Sequence, residues 1–220
     1  MPISACLFDL DGVIVDTAKY HYLAWKELAK ELGFHFTEAD NERLKGVSRM
    51  ASLDILLEVG SITHVSDSEK YVMASKKNDR YVSYISKMTP QEILPGVLDF
   101  LHDVQSSGVK IALGSASKNT GLILERVKLR KWFDVVIDGN RVTRAKPDPE
   151  VFLLGAWELG VMPLQCVVFE DAAAGIEAAI RAGMKCVGVG NPAILHCAHT
   201  IIPGFQHITW EQISKSIQTI

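Results

Sequence analysis

No stretch of the 220-residue sequence stays apolar long enough to span a bilayer. The first residues also lack the basic-then-apolar order of a secretion signal, so neither membrane anchoring nor export is expected. Basic blocks are missing too. Lysine and arginine number 23 against 26 acidic residues, and the net charge of −3 offers no positive field to a nucleic-acid partner. A small anionic substrate stays open, because it needs only a few local cations. Cysteine is scarce: Cys6, Cys166, Cys186 and Cys197 form no CxxC pair, so buried free thiols in a reducing cytoplasm are expected. His196, Cys197 and His199 lie close in sequence without a second ligand pair, which predicts a tail packed on the core rather than a metal site. Internal repeats and low-complexity segments are absent.

What is present is an ordinary globular composition, 48% hydrophobic and 22% charged, on a chain long enough for one domain or one domain plus an insertion. An apolar run over residues 3–8 stops abruptly at Asp9-Leu10-Asp11-Gly12. Such a run reads as a buried strand reaching the edge of its sheet. Side chains alternate along a strand, so Asp9 and Asp11 would leave on the same side if extended geometry persists that far, and Gly12 permits the turn that follows. Two carboxylates this close imply a bound cation, a shared proton or two different catalytic tasks.

Residues 17–89 read as helices without strands. Asp16 and Thr17 are placed to cap a helix from about residue 18, with Leu23, Trp25, Leu28, Ala29 and Leu32 as its apolar face and Gly33 as its end. Thr37-Glu38-Ala39-Asp40 has the form of a capping box, and so does Ser66-Asp67-Ser68-Glu69, which opens a long helix through Lys87. Between them Ser48 caps a helix carrying Leu53, Leu56 and Leu57 that ends at Gly60.

Beyond Leu94-Pro95-Gly96 helices and strands alternate. A helix with Leu98, Leu101 and Val104 on one face leads to a strand over 109–114 that ends at Ser115-Ala116-Ser117. A helix over 119–128, a strand over 135–137 and a helix opened by Asp148-Pro149 follow. A strand over 166–169 again ends in acid, Glu170-Asp171. An alanine-rich helix to Gly183, a strand over 186–189 and a tail helix boxed by Thr209 and Gln212 complete the chain. Trp157 and Trp210 read as helix-packing residues, and segments 60–68 and 191–207 carry no assigned role. Alternation of this kind predicts an α/β fold with a doubly wound parallel sheet, helices on both faces and a helical insertion after the first strand.

In a parallel sheet these strand ends share one edge, so Asp9, Asp11, Ser115, Lys146, Glu170 and Asp171 are expected to meet. Their chemistry is coherent. Carboxylates can hold a hard divalent cation such as Mg²⁺, and a hydroxyl with a lysine can hold phosphoryl oxygens. One carboxylate can attack phosphorus, and a second can move the proton of the leaving or entering hydroxyl, worth about 10²–10⁴-fold in rate.

Phe8-Asp9-Leu10-Asp11-Gly12-Val13, Ser115, Lys146-Pro147 and Glu170-Asp171 resemble, in order, the four motifs of the haloacid-dehalogenase-like (HAD) phosphotransferases. The resemblance implies a Rossmann-type core with a helical cap, residues 1–15 and 93–220 forming the core and 16–92 the cap. It implies Asp9 as nucleophile and Asp11 as general acid/base. One Mg²⁺ per chain would be held by Asp9, Asp171 and the Asp11 carbonyl, with Glu170 behind its water shell, and Ser115 and Lys146 would bind the transferring phosphoryl. Asp11 favours phosphoryl transfer over carbon–halogen cleavage.

Within that superfamily, Asp16-Thr17-Ala18, His21, Trp25, Leu44-Lys45-Gly46-Val47-Ser48-Arg49, Ser52, Lys77-Asn78-Asp79 and Ser115-Ala116-Ser117-Lys118-Asn119 resemble the β-phosphoglucomutase family. That resemblance implies interconversion of β-glucose 1-phosphate and glucose 6-phosphate through β-glucose 1,6-bisphosphate. Arg49, helped by Ser117 and Asn119, would grip the phosphate that is not reacting. Lys45, Gly46 and Val47 would line the sugar site together with Trp25, Ser52 and Ala116. His21, steadied by Lys77, would link cap closure to Asp11. Arg141 and Arg144 make the stretch before Lys146 more basic than the family pattern. A monomer is expected. The alternatives are a Mg²⁺-dependent phosphatase on a small sugar phosphate and a non-catalytic phosphosugar sensor. The presence of both Asp9 and Asp11 weighs against the sensor.

Overall fold

The computed structural model describes residues 2–44 and 47–218. In chain order the elements are β1 (Ala5–Phe8), α1 (Ala18–Glu31), α2 (Glu38–Glu42), α3 (Arg49–Val59), α4 (Asp67–Ile85), α5 (Val97–Ser106), β2 (Lys110–Gly114), α6 (Thr120–Arg126), β3 (Val135–Ile137), α7 (Glu150–Leu159), β4 (Cys166–Glu170), α8 (Ala173–Arg181), β5 (Lys185–Val189), β6 (Thr200–Ile202) and α9 (Trp210–Gln218). The strands form one sheet in the order β3-β2-β1-β4-β5-β6, and every pairing is parallel. The chain winds outward on one side of β1 and then on the other, so the order reverses between β1 and β4. Doubly wound sheets bind their ligands at that reversal.

Alternation along β1 divides the core. Cys6 and Phe8 face a cluster with Phe100, Leu101, Ile123, Leu124, Trp210 and Ile213, while Ala5 and Leu7 face Val151, Phe152, Ile176 and Ala178. Phe8 stacks on Phe169 of β4 with ring centroids 4.6 Å apart, so apolar packing holds the two acid-tipped strands together. A third cluster, with Trp25, Leu28, Phe36, Leu53, Leu56 and Ala74, lies wholly among α1–α4 and their loops. The helical stretch reaches the sheet through two antiparallel linkers: Val15 bridges Ile93, and the Leu94 amide donates to the Ile14 carbonyl at 3.0 Å.

Both predicted capping boxes form, and Ser48 accepts the Ala51 amide at the start of α3. The Thr209–Gln212 box forms as well. Several expectations need correction. Thr17 precedes α1, but its side chain does not cap the helix; its amide donates to Asp11 instead. Asp148, the predicted N-cap, lies one residue before the observed one, Pro149, and its carboxylate accepts the Glu150 amide at 3.0 Å. The helix of Ser66 ends at Ile85, short of Lys87. Leu98 is exposed, because α5 is rotated to bury Val97, Phe100, Leu101 and Val104. Trp157 is 75% exposed and packs no helix, whereas Trp210 is buried as expected. Cys197 is exposed, while the other three thiols are buried and free. Strand β6 lies in a segment without assigned structure; three residues at a sheet edge carry too few alternations to be read.

Candidate active site

Strand register brings the acids together. Phe8 pairs with Leu113 and with Phe169, so the residues following β1, β2 and β4 emerge side by side. The Asp9 amide still donates to the Phe169 carbonyl at 3.0 Å, which fixes the height of its side chain. Asp9 is almost fully buried. Its Oδ2 accepts the Asp11 amide at 2.9 Å and its Oδ1 accepts Lys146 Nζ at 2.6 Å. The same ammonium donates to Glu170 Oε2 at 3.0 Å and to the Gly114 carbonyl at 3.2 Å, and it lies 4.8 Å from the Phe152 ring centroid. Burial opposes the charge on Lys146, but Asp9 and Glu170 outweigh it and hold the amine above its ordinary value.

Asp9, Glu170 and Asp171 present ligand oxygens all within 4.8 Å of one another, the one such group among the described residues. Two glycines keep this nest open. A Cβ at Gly175 would fall 2.1 Å from Glu170 Oε1, and one at Gly12, whose φ is +79°, would fall 2.1 Å from Asp171 Oδ2. Glu170 is driven well above its usual value, first by burial and then by Asp9, against the pull of Lys146. One lysine shared by two buried carboxylates leaves negative charge in excess. An all-oxygen donor set with that excess fits a hard cation.

Asp11 turns away from this nest toward the helices. Its Oδ1 accepts the Thr17 amide at 2.9 Å, and about a third of the side chain stays exposed. Burial is the main influence that pushes its carboxyl up to about 6; the Thr17 hydrogen bond opposes the rise and Asp9 adds to it. That value suits a group that must both give and take a proton near neutrality. His21 Nε2 stands 3.7 Å from Asp11 Oδ2, one small movement short of a hydrogen bond. On the far side of the ring Lys77 Nζ lies 2.8 Å from Nδ1. Burial, then Lys77 and Arg49, hold His21 well below its ordinary value, so the imidazole is neutral. Nδ1 then accepts from Lys77, which puts the ring proton on Nε2, facing Asp11. Lys77 is buried over the rings of Trp25 (4.6 Å) and Tyr81 (4.9 Å), and burial, followed by Arg49, lowers its amine to about 7.

Farther out, α3 and α4 face the start of α6. Arg49 is half-buried and has no carboxylate partner among the described residues; its guanidinium donates to the neutral amide oxygen of Asn78 at 2.8 Å. Asn119 Nδ2, on the other side of the cleft, donates to the same oxygen at 3.1 Å. Ser115 is buried, with its Oγ accepting the Ser117 amide at 3.1 Å, and Ser117 Oγ accepts the Asn119 amide at 3.2 Å. Two hydroxyls, one residue apart, therefore shape the loop after β2 around its own amides. Ala116 lies in that loop, its carbonyl so close to Gly139 that a Cβ there would fall 2.2 Å from it.

The structure thus brings Asp9, Asp11, Lys146, Glu170, Asp171, His21 and Lys77 into one contiguous set, with Arg49, Ser117 and Asn119 at a second position. Val47 is partly exposed beside the cleft helices. Lys45 and Gly46 lie outside the described residues. Trp25 and Ser52 are buried within α1 and α3, with Trp25 in the third apolar cluster. Arg141 pairs with Glu158 and Arg144 with Asp148, so the basic loop before Lys146 carries its own counter-charges. His199 Nδ1 accepts the Cys186 amide at 3.2 Å, tying the tail to β5 as the absence of a second ligand pair implied.

Two neighbours received no role from the sequence. Tyr81, four residues after Lys77 and so on the same face of α4, packs its ring 4.0 Å from that of His21 and donates to Thr17 Oγ1 at 3.3 Å. Asn78 joins Arg49 to Asn119. Only the i, i+4 spacing pointed to the first, and the second stood in the Lys77-Asn78-Asp79 stretch of the family resemblance without a role of its own.

Comparison with known proteins places this geometry among relatives. A sequence profile of haloacid dehalogenase-like hydrolases matches residues 6–189. The β-phosphoglucomutase of Bacillus subtilis (strain 168) is 41% identical over 214 residues, covering 97% of this chain and 95% of that protein. A phosphorylated carbohydrates phosphatase of Thermotoga maritima is 36% identical over 186 residues, 83% of each chain. The crystal structure of β-phosphoglucomutase from Clostridium difficile superimposes with a TM-score of 0.93 at 44% identity, covering 99% of this chain and 98% of that one.

Proposed function

The chain belongs to the haloacid dehalogenase-like hydrolase family, and from that membership we propose that it is a phosphomutase interconverting β-glucose 1-phosphate and glucose 6-phosphate. Residues 1–15 and 93–220 act as the catalytic core and 16–92 as the cap. One observation carries the mutase reading. A half-buried guanidinium in no direct ion pair among the described residues, Arg49, sits across the cleft from Asn119, apart from the Asp9 nest. A sugar that reacts at both ends needs one position for the reacting phosphate and another for the idle one, and guanidinium suits the second because it binds phosphate through two parallel hydrogen bonds.

The residues divide the work. Asp9 uses one carboxylate oxygen to form the bond to phosphorus, and the bond from phosphorus to the sugar oxygen breaks. Asp11 gives its proton to that departing oxygen. Between the two half-reactions β-glucose 1,6-bisphosphate turns end for end, so that its other phosphate faces Asp9. In the return step Asp11 takes the proton of the incoming hydroxyl while its oxygen attacks the aspartyl phosphate. Ser115 and Lys146 hold the phosphoryl oxygens in flight. Asp9, Asp171 and the Asp11 carbonyl, with Glu170 behind them, would hold Mg²⁺, which supplies positive charge to the phosphoryl oxygens when bound. Adding Mg²⁺ at about a hundredfold excess over its Kd should raise Tm by about 5–10 °C. Asp171→Asn should lose most of that shift. An unchanged Tm in the wild type would count against the metal site.

Water competes with sugar for the phosphoenzyme, and the exposed third of Asp11 is the observation that favours a phosphatase. His21 answers it. Its Nε2 proton comes from the cap side and orients Asp11 when the cap settles over sugar, so the base is in place chiefly when an acceptor hydroxyl is present. His21→Ala should therefore cut mutase turnover about 10–100-fold while phosphoenzyme hydrolysis changes far less. Equal losses in both activities would remove this role.

The phosphosugar is the one partner required, the free thiols suit a reducing cytoplasm, and one chain supplies every named group, as a monomer would. The test is direct. β-Glucose 1-phosphate is supplied with Mg²⁺ and a trace of the bisphosphate, and glucose 6-phosphate and free phosphate are followed together. Rapid glucose 6-phosphate with little phosphate supports the mutase. Phosphate release without isomerisation moves the protein to the phosphatases.

A further inference from the structure

We infer that Asn78 is a positioning residue for the idle phosphate: its side-chain oxygen stands in for a phosphate oxygen and keeps Arg49 and Asn119 aimed at one point. The inference rests on the two-phosphate reading above. The geometry is unusual in one respect. Two donors from elements far apart in sequence, Arg49 at the head of α3 and Asn119 before α6, converge on a single acceptor atom at 2.8 and 3.1 Å. An amide oxygen has two lone pairs, and these two donors fill both. Each donor is polar, each faces the seam between cap and core, and among the described residues neither makes a direct ion pair; Asp79 acts on Arg49 only at longer range.

An uncharged acceptor is what such a placeholder requires. A carboxylate at this position would pair with the guanidinium as a charged hydrogen bond, about twice as strong as a neutral one, and would compete with phosphate. A neutral oxygen holds the guanidinium's direction and yields to a stronger acceptor when one arrives. Ordering the long Arg49 side chain beforehand also reduces the rotamer entropy lost on binding. Asn78 follows Lys77 on α4, so the helix that buries the lysine behind His21 also carries the acceptor that aims Arg49. One rigid helix therefore serves both the acid/base end and the phosphate-holding end of the cleft.

Asn78→Ala and Asn78→Asp separate positioning from mere packing. The probe is glucose 6-phosphate, its affinity measured by calorimetry, alongside Tm and the rate of Asp9 phosphorylation by acetyl phosphate, a donor without a second phosphate. Asn78→Ala should weaken glucose 6-phosphate binding about tenfold. Asn78→Asp should weaken it further while leaving Tm equal to or above that of the wild type, since the new carboxylate pairs with Arg49. Phosphorylation by acetyl phosphate should stay within about twofold in both variants. Unchanged affinity in the two variants overturns the inference, as does an equal loss in the acetyl phosphate reaction. Wild-type protein that binds glucose 6-phosphate without isomerising β-glucose 1-phosphate would remove the mutase reading, and the affinities would still decide the role of Asn78. Wild-type protein that binds no glucose 6-phosphate would overturn both.

Discussion

Asp9→Asn should lower kcat by about 10⁴–10⁶-fold, the range in which loss of a covalent nucleophile falls. The substitution keeps size and one carbonyl oxygen, so acceptance of the Asp11 amide can persist. What disappears is the charge that holds Lys146 at 2.6 Å and the electron pair that bonds phosphorus. Folding should not suffer. Asp9 is one of the groups that push Glu170 upward, so its neutralisation relieves repulsion in the nest and leaves Lys146 to Glu170 alone. Tm in the absence of metal should therefore hold or rise. Turnover and the mass of the intact protein after incubation with β-glucose 1,6-bisphosphate test this together. A variant that still gains one phosphoryl group would remove Asp9 from the role of nucleophile.

Removing Asp11 should cost about 10²–10⁴-fold in mutase turnover, the span of a positioned proton donor. The loss should depend on the leaving group. A sugar alkoxide needs a proton as it departs, while acetate does not. Asp11→Asn should therefore react almost normally with acetyl phosphate and accumulate phosphoenzyme, because the return step still requires a base. Asparagine can keep the Thr17 amide bond at Oδ1, so the loop stays in place and the deficit reports chemistry rather than folding. Equal slowing with both phosphoryl donors would make Asp11 a structural residue.

The core half of the site was legible because its residues end strands. An apolar run that stops at acid marks Asp9, Asp11, Glu170 and Asp171, and parallel alternation gathers such ends without knowledge of loops. Lys146 lies on the loop after the third predicted strand, so alternation placed it near the shared edge and the order of the motifs supplied its role. The cap half is different. Arg49, Lys77 and His21 read as solvated helix charges when taken singly, since nothing in helical spacing says that α1, α3 and α4 converge on one cleft. Family resemblance supplied those roles. Tyr81 and Asn78 depend on the packing of α4 against α1 and the start of α6, a tertiary fact without a local signature. Leu98 and Trp157 failed for a related reason: an apolar residue on a helix records where burial is affordable, and the rotation of the helix decides whether it occurs.

The shared register of β1, β2 and β4 also governs how this chain can change length. Deleting a single residue inside β4 would turn the Glu170 position to the opposite face of the sheet and exchange an acid for an apolar group at the centre of the nest. The strands at the centre of the sheet are therefore closed to insertion and deletion, and any compensating change must come in a neighbouring strand at the same step. The loop between α3 and α4 belongs to no strand and so carries no such register; what holds it is the packing of Ile62 and Val65 against the third apolar cluster. Descendants of this sequence can change length there, provided that Ile62 and Val65 or their replacements keep that cluster covered, while the acid-tipped strands keep their count.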